Sequence, residues 1–393
     1  MSWPMVKLGD VCTINPRLPK NADPEQEVTF LAMAAVSDKG EISSQETRIF
    51  HETKKGFTYF ERGDVLLAKI TPCFENGKAT LTNNLKTQIG FGSTEFHVLR
   101  AIPELILPEY IFYLIWNERF RITAAKEMTG SAGQKRVSVD YLKEYQFHLP
   151  PICEQENIVE TLNKGYSIQR KREHAIKLAD DFLRATFLEM FGDPVSNPKG
   201  WNVRPLGQHI IHANNGLSRR RKESENTGEV VLRLQDVHYE GIRFNNNLNR
   251  IKLTTSEKER FLVANGDILF IRVNGNPDYV GRSAVFEGYK ENIYHNDHLI
   301  RLRISEQYEP IFLSYCFNHE AGKRIISGKI KTSAGQYTIS QGGIESLNIY
   351  MPPISLQKKF VEIRKSVMNL PFSCNSFAKL YRMLNQKIFS EYL

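Results

Sequence analysis

The chain has 393 residues, of which 41% are hydrophobic and 24% charged, with 25 glycines and 17 prolines. That composition excludes a disordered or fibrous polymer and supplies apolar material for two or three domains. Lysine and arginine total 52 against 44 acidic residues, and the resulting formal charge of +8 permits nucleic acid as a partner without establishing it.

Cys12, Cys73, Cys153, Cys316 and Cys374 stand far apart, so neither a CxxC redox pair nor a zinc knuckle can be assembled from neighbours. An odd cysteine count with no signal peptide fits a reducing cytoplasm, where we expect the protein. The most apolar long stretch, LILPEYIFYLIW at 105–116, is too short for a membrane span and carries Pro108 and Glu109.

In chain order, WPMVKLG (3–9) is followed by the strand candidates VTFLAM (28–33) and DVLLAKI (64–70), the latter after the turn dipeptide Gly63-Asp64. STEFHVLR (93–100) precedes an aromatic-rich helical candidate at 109–117, then SAGQKRVSVDYLKEYQFHLPPICEQ at 131–155. The same series then recurs. WNVRPLG (201–207), Gly266-Asp267 with DILFIRV (267–273), NDHLIRLR (296–303) with the strand LIRLRI (299–304), a helical candidate at 310–318, and SAGQYTISQGGIESLNIYMPPISLQ (333–357) repeat the first series at offsets of 198 to 204. One order and nearly one spacing imply duplication of a whole module of about 150 residues, far above the period of solenoid repeats. Short β-branched and aromatic runs between turn signals, with few helices, predict an α+β module built on a strongly curved mixed or antiparallel sheet.

After each Pro-Pro-Ile the period changes to that of a helix, because proline is accommodated at the first helical positions. Ile158, Leu162, Ile176, Ala179, Leu183, Phe187 and Met190 form one stripe over a proline-free stretch from Glu154 to Met190, about 55 Å if fully helical. Its middle, NKGYSIQRKREH (163–174), is more polar, and there the stripe is expected to loosen or bend. A second stripe holds Phe360, Ile363 and Val367, is interrupted at Leu370-Pro371, and resumes at Phe377, Leu380 or Tyr381, Leu384 and Ile388. Two such helices suit an antiparallel coiled-coil pair. Domain-capping helices are the alternative, but the first is too long to cap a module of this size. Two related surfaces at fixed distance suit a long ligand with a repeating face, and duplex DNA returns its grooves about every 34 Å.

The doubled GD strand, the doubled SAGQ, LPPICEQ (149–155) with MPPISLQ (351–357), and the junction FLEMFGDPVSNPKGWNVRPLG (187–207) together resemble the specificity (S) subunit of Type I restriction–modification enzymes. The resemblance covers the whole chain. It implies a first target recognition domain at 1–150, a first helical region and spacer at 151–195, a second recognition domain at 196–351 and a second helical region at 352–393. The chain would read a bipartite duplex site and perform no chemistry. Its partners would be double-stranded DNA, two methyltransferase (M) subunits and restriction/translocase (R) subunits, with no membrane. Those partners would use S-adenosylmethionine, and ATP with Mg2+, while this chain would hold no cofactor or metal. Ser355-Leu356 in place of Cys153-Glu154 questions only the equivalence of two docking surfaces.

Candidate DNA contacts follow from chemistry and repetition. Gln134 and Gln336 can pair with adenine edges, and Lys135 and Arg136 with phosphate or guanine; Tyr337 and Thr338 take their places in the second copy. The competing reading makes SAGQ a tight turn supporting the next strand. Arg219, Arg220, Arg221 and Lys222 form the densest basic run, suited to phosphate or simply to solvent. Lys69 and Arg272 end the matching GD strands, with Lys78 and Arg282 beyond them. Asp64 and Asp267 are expected to shape their turns through backbone hydrogen bonds, and Trp3 and Trp201 to anchor the core. The helix-packing set is Ile158, Leu162, Ile176, Leu183, Phe187, Phe360, Ile363, Val367, Phe377, Leu384 and Ile388.

Catalytic readings are weaker. Asn276-Pro277-Asp278-Tyr279 only half matches an adenine-methyltransferase motif, and Asp193-Pro194-Val195 matches less. Glu52-Thr53-Lys54 with Asp38 has a nuclease form, but the second copy has Thr254 and Ser256 near that place. His295 and His298 lack a third ligand, and no Walker sequence occurs. A non-catalytic protein scaffold without sequence-specific DNA binding is the alternative function.

Overall fold

A computed structural model describes residues 3–19, 22–131, 133–218, 227–245, 247–333 and 335–370. These divide into two compact units, one running to Glu173 and the other beginning at His174. Their sheets have the same construction.

In the first unit the antiparallel sheet has the order Cys12–Ile14, Phe96–Ala101, Val65–Ala68, Ala79–Leu81. A second four-stranded sheet has the order Glu46–Ile49, Glu27–Leu31, Ile89–Gly92, Thr58–Glu61, and its central pair is parallel. In the second unit the antiparallel sheet runs Ile210–Asn215, Leu299–Ile304, Ile268–Ile271, Ser283–Val285. Its mixed companion runs Arg250–Ile251, Glu229–Leu232, Ile293–His295, Leu262–Val263, again with a parallel central pair. Each module therefore carries two four-stranded sheets where the sequence predicts one curved sheet. The parallel pair joins strands about 60 residues apart, a partnership that local patterning does not encode.

The two-sheet arrangement accounts for the uninterrupted apolar strands. Side chains alternate between faces. Val65, Leu67 and Leu99 face a core shared with Tyr110, Ile111 and Leu114 of the helix Pro108–Trp116. Leu66 and Val98 face the other way, against Leu31 and Phe60 of the mixed sheet. In the second module Ile268, Phe270, Ile300 and Leu302 pack with Phe312 and Phe317 of the helix Pro310–Asn318, while Leu269, Ile271 and Leu299 meet Val230, Leu232 and Ile293. A strand covered on both faces has no polar positions to alternate with. Each module's ends are tied by a short antiparallel pair, Met5–Lys7 with Gln146–His148 and Val203–Pro205 with Asn348–Tyr350.

Helices start where the prolines predict. One continuous helix of 40 residues, Ile152–Phe191, spans about 60 Å at 1.5 Å per residue. It begins in the first unit and ends in the second, and the polar middle does not interrupt it. Leu162 is buried in the first module's core; Leu183 is buried toward the other end, and Phe187 and Phe191 lie in the second module's core. Between them Ile168, Ile176, Leu178 and Phe182 are exposed, so Ile176 belongs to no packed stripe among the described residues. The helix Ile354–Met368 buries Phe360, leaves Ile363 and Val367 half-buried, and ends at Asn369. Phe377, Leu384 and Ile388 lie outside the described residues, as does any pairing they make.

The doubled Pro-Pro-Ile-x-x-Gln has a physical reason. Gln155 Oε1 accepts from Leu107 N at 2.9 Å while Nε2 donates to Leu105 O at 3.0 Å and Pro150 O at 2.8 Å. Gln357 repeats this with Glu309 N, Gln307 O and Pro352 O at 2.9, 3.1 and 2.8 Å. Both amides are fully buried. They satisfy loop groups that burial would otherwise leave unpaired. Cys153, Glu154 and Ser355 are exposed, while Leu356 is half-buried against the second core, so the copies differ there by one apolar contact.

Candidate nucleic-acid interface

Lys69 and the first SAGQ loop, and Arg272 and the second, meet at one backbone node in each module. Lys69 follows the strand Val65–Ala68; its N–H donates to Glu95 O at 2.9 Å and its carbonyl accepts from Val137 N at 3.0 Å. Arg272 follows Ile268–Ile271, donates to His298 O at 3.0 Å and accepts from Ile339 N at 2.9 Å. The node thus joins the cation after the GD strand to the segment leaving the SAGQ loop, two features the sequence separates by more than 60 residues. Thr71 N donates to Lys135 O at 3.0 Å on the same edge. In the second module Val273–Asn274 pairs with Thr338 and Tyr337, which pair in turn with Lys331–Thr332.

Gly133 and Gly335 have φ of 83° and 76°, the left-handed region that glycine enters without a Cβ penalty. In the first loop Gln134 N donates to Ser131 O at 3.0 Å. In the second, Gln336 opens the returning strand of a hairpin. The loops therefore are tight turns, and they leave Gln134, Lys135 and Gln336 exposed. Tyr337 is half-buried against the core.

The remaining cations differ in their surroundings. Arg136 donates to both Glu95 oxygens, at 3.0 and 2.9 Å, and this pairing lowers the Glu95 carboxyl below its ordinary range. Lys78 turns inward to Met33 O at 3.2 Å. Arg272 Nη1 reaches Asp297 O at 3.3 Å. Arg282 lies between two tyrosine rings, 4.1 Å from Tyr239 and 4.3 Å from Tyr279, with Lys323 over Tyr239 at 4.8 Å. The two basic neighbours outweigh burial and lower the Tyr239 hydroxyl pKa. Arg219, Arg220, Arg221 and Lys222 lie outside the described residues.

Sequence reasoning assigned Asp64 and Asp267 to their turns, and they take Glu61 N at 2.7 Å and Ala264 N at 2.8 Å. It missed that both also hold an arginine. Arg100 and Arg303 occupy equal places in STEFHVLR and NDHLIRLR, so the signal was present as a repeated residue. Trp201 packs on the second core and donates to Phe191 O at 2.9 Å, while Trp3 is half-buried and accepts from His148 at 2.8 Å. His295 is fully buried between the carbonyls of Phe261 and Asn214, whereas His298 is exposed. Among the described residues no three His, Cys, Asp or Glu side chains gather to hold a metal ion, and no helix is long and apolar enough to cross a membrane.

The chain is thus a duplicated α+β module, and each copy presents an exposed polar loop beside a cation. The model of the Type I restriction modification DNA specificity domain matches residues 2–178 and 198–371, and the chain belongs to that family. It is 27% identical to the Type I restriction enzyme EcoEI specificity subunit of Escherichia coli, over 91% of this chain and 76% of that protein. It is 39% identical to the EcoAI specificity subunit of Escherichia coli over 40% of this chain and 27% of that one. The crystal structure of the S subunit of a Type I restriction–modification system from M. genitalium matches with a TM-score of 0.61 at 14% identity, covering 98% of this chain and 96% of that one, and so shares its fold. The chain is a non-catalytic, sequence-specific DNA-recognition subunit of a Type I restriction–modification system.

Proposed function

We propose that residues 1–150 and 196–351 are two target recognition domains, each reading one half of a bipartite duplex site. Residues 151–195 and 352–393 set the unread spacer and dock two methyltransferase subunits, with restriction/translocase subunits joining that core. The complex works in the cytoplasm, and its methyl donor and nucleotide are bound by the partner subunits. The observation that carries this reading is the repeated node: the same sheet order brings an exposed glutamine loop beside the post-GD cation in both halves. The DNA contacts are Gln134, Lys135 and Arg136 with Lys69 and Lys78 in the first module. In the second they are Gln336, Tyr337, Arg272 and Arg282, with Arg219, Arg220, Arg221 and Lys222 on phosphate. Glutamine supplies base readout and the cations supply salt-dependent affinity.

The test is module exchange. Replacing residues 1–150 by the homologous module of another specificity subunit, in complex with the methyltransferase, changes one half of the methylated motif and leaves the other half intact. A motif unchanged by the exchange defeats the assignment.

A further inference from the structure

We propose that the hairpin tip Lys39–Glu41 and the helix residues Tyr166, Arg170 and Glu173 form a positioning clamp. It holds the first module at one rotation on the long helix and so narrows the range of half-site separations the protein accepts. The inference rests on the bipartite reading above.

The tip is seated rigidly on its own module. Val36 and Ile42 bridge its base, and Ser37 N donates to Glu41 O at 2.9 Å. Gly40 has a φ of 80°, and a Cβ there would lie 2.5 Å from the Phe112 ring, so the backbone rests directly on that ring. Thr80 Oγ1 donates to Gly40 O at 3.0 Å.

The opposite side of the tip meets the helix. The Tyr166 hydroxyl lies 2.9 Å from Lys39 O and 2.8 Å from Glu41 Oε1, sharing its proton between them. Arg170 Nε stands 3.1 Å from the same Glu41 oxygen, and Lys39 Nζ stands 3.0 Å from Glu173 Oε2. The Trp116 ring meets the Tyr166 ring edge-on at 6.1 Å between centroids. Tyr166, Arg170 and Glu173 are spaced i, i+4, i+7 and form one ridge over two turns. Among the described residues, Leu162 is the last helix side chain in the first module's apolar core. The ridge therefore begins just past the last apolar helix side chain buried in that core, at the place where the rotation of helix against module would otherwise be loosely fixed.

Exposed ion pairs contribute little singly. Here four polar contacts from three residues of one helix face converge on Lys39 and Glu41, and the task is modest. A tenfold preference for one spacing over its neighbour corresponds to about 1.4 kcal/mol. The second module's hairpin uses different chemistry: Arg364 Nη2 donates to Glu240 O at 3.1 Å, so each head has its own attachment.

The experiment uses the complete chain assembled with its methyltransferase subunit. Duplexes carrying the two selected half-sites, separated by random spacers lengthened in single base-pair steps, are sorted by binding and sequenced. Tyr166→Phe and Arg170→Glu keep both half-site sequences, while the ratio of the preferred spacer to its neighbours falls at least fivefold. Combining Arg170→Glu with Glu41→Arg restores most of that ratio, and raising the salt lowers it in the wild type. An unchanged ratio in Tyr166→Phe overturns the clamp, and that variant decides alone if Arg170→Glu fails to fold. A wild-type complex that selects no paired half-sites overturns the bipartite reading and the clamp with it; normal wild-type selection with unmoved variants overturns the clamp only.

Discussion

Arg100 and Asp64 face each other through two parallel hydrogen bonds, Nε to Oδ1 at 2.7 Å and Nη2 to Oδ2 at 2.8 Å, and Arg303 repeats both on Asp267 at 2.8 and 2.9 Å. The carboxylates are buried, and each also caps its own turn. One side chain thus fixes the turn before the central strand and ties that strand's start to its neighbour. Bidentate geometry makes the pair directional, which a lysine could not reproduce.

Asp64→Ala and Asp267→Ala each remove three charge-assisted hydrogen bonds and leave a backbone N–H without its partner and an arginine without its bidentate one, although Arg100 keeps Glu61 at 3.4 Å. Each is expected to destabilise its module by about 3 kcal/mol. Asp267→Ala is the more damaging, because Arg301, with its side chain only 4% exposed, also lies 3.8 Å from Asp267. Urea unfolding followed by tryptophan fluorescence checks the order.

Gln155→Glu is expected to destabilise more than Gln155→Ala. The carboxylate keeps the acceptor for Leu107 N but sets a buried negative charge against the carbonyls of Leu105 and Pro150, where the amide donated. Gln357→Glu should behave alike. Amide exchange at Leu107 and Glu309 reports the loss locally, with protection falling in the altered module alone.

Gln134→Ala is expected to relax base preference at one position of one half-site, at a cost of about 1–3 kcal/mol in discrimination, while Lys135→Ala lowers affinity for all sequences. Gln336→Ala does the same for the other half-site. Binding to single-base variants of the target, repeated at two salt concentrations, separates the two effects: only the lysine change reduces the salt slope, by about one unit.

His295 gives a pH signature. Burial drives its pKa down to about 4 from an ordinary 6.5, with Arg301 adding to the effect. The unfolded chain therefore binds a proton between these values that the folded chain refuses. The second module is fully stable, as far as this group is concerned, above pH 6.5 and loses about 3 kcal/mol as the pH falls to 4. His295→Gln should flatten that part of the profile; the same slope in both proteins, measured by thermal unfolding, refutes the assignment.

Sequence by itself determined what is local or periodic. The GD turns, the helix starts after Pro-Pro-Ile, the helices at Pro108–Trp116 and Pro310–Asn318, and the duplication were all legible, because each is written in neighbouring residues or in a pattern repeated at one offset. Tertiary structure alone decided which strands lie parallel, that Gln155 and Gln357 clamp loops 50 residues away, and that Glu95 holds Arg136 while Arg282 lies between tyrosines. The physical reason is distance: hydrogen bonds and ion pairs act over about 3 Å in space. A sequence states which groups can make them, but only the folded backbone brings the partners within reach.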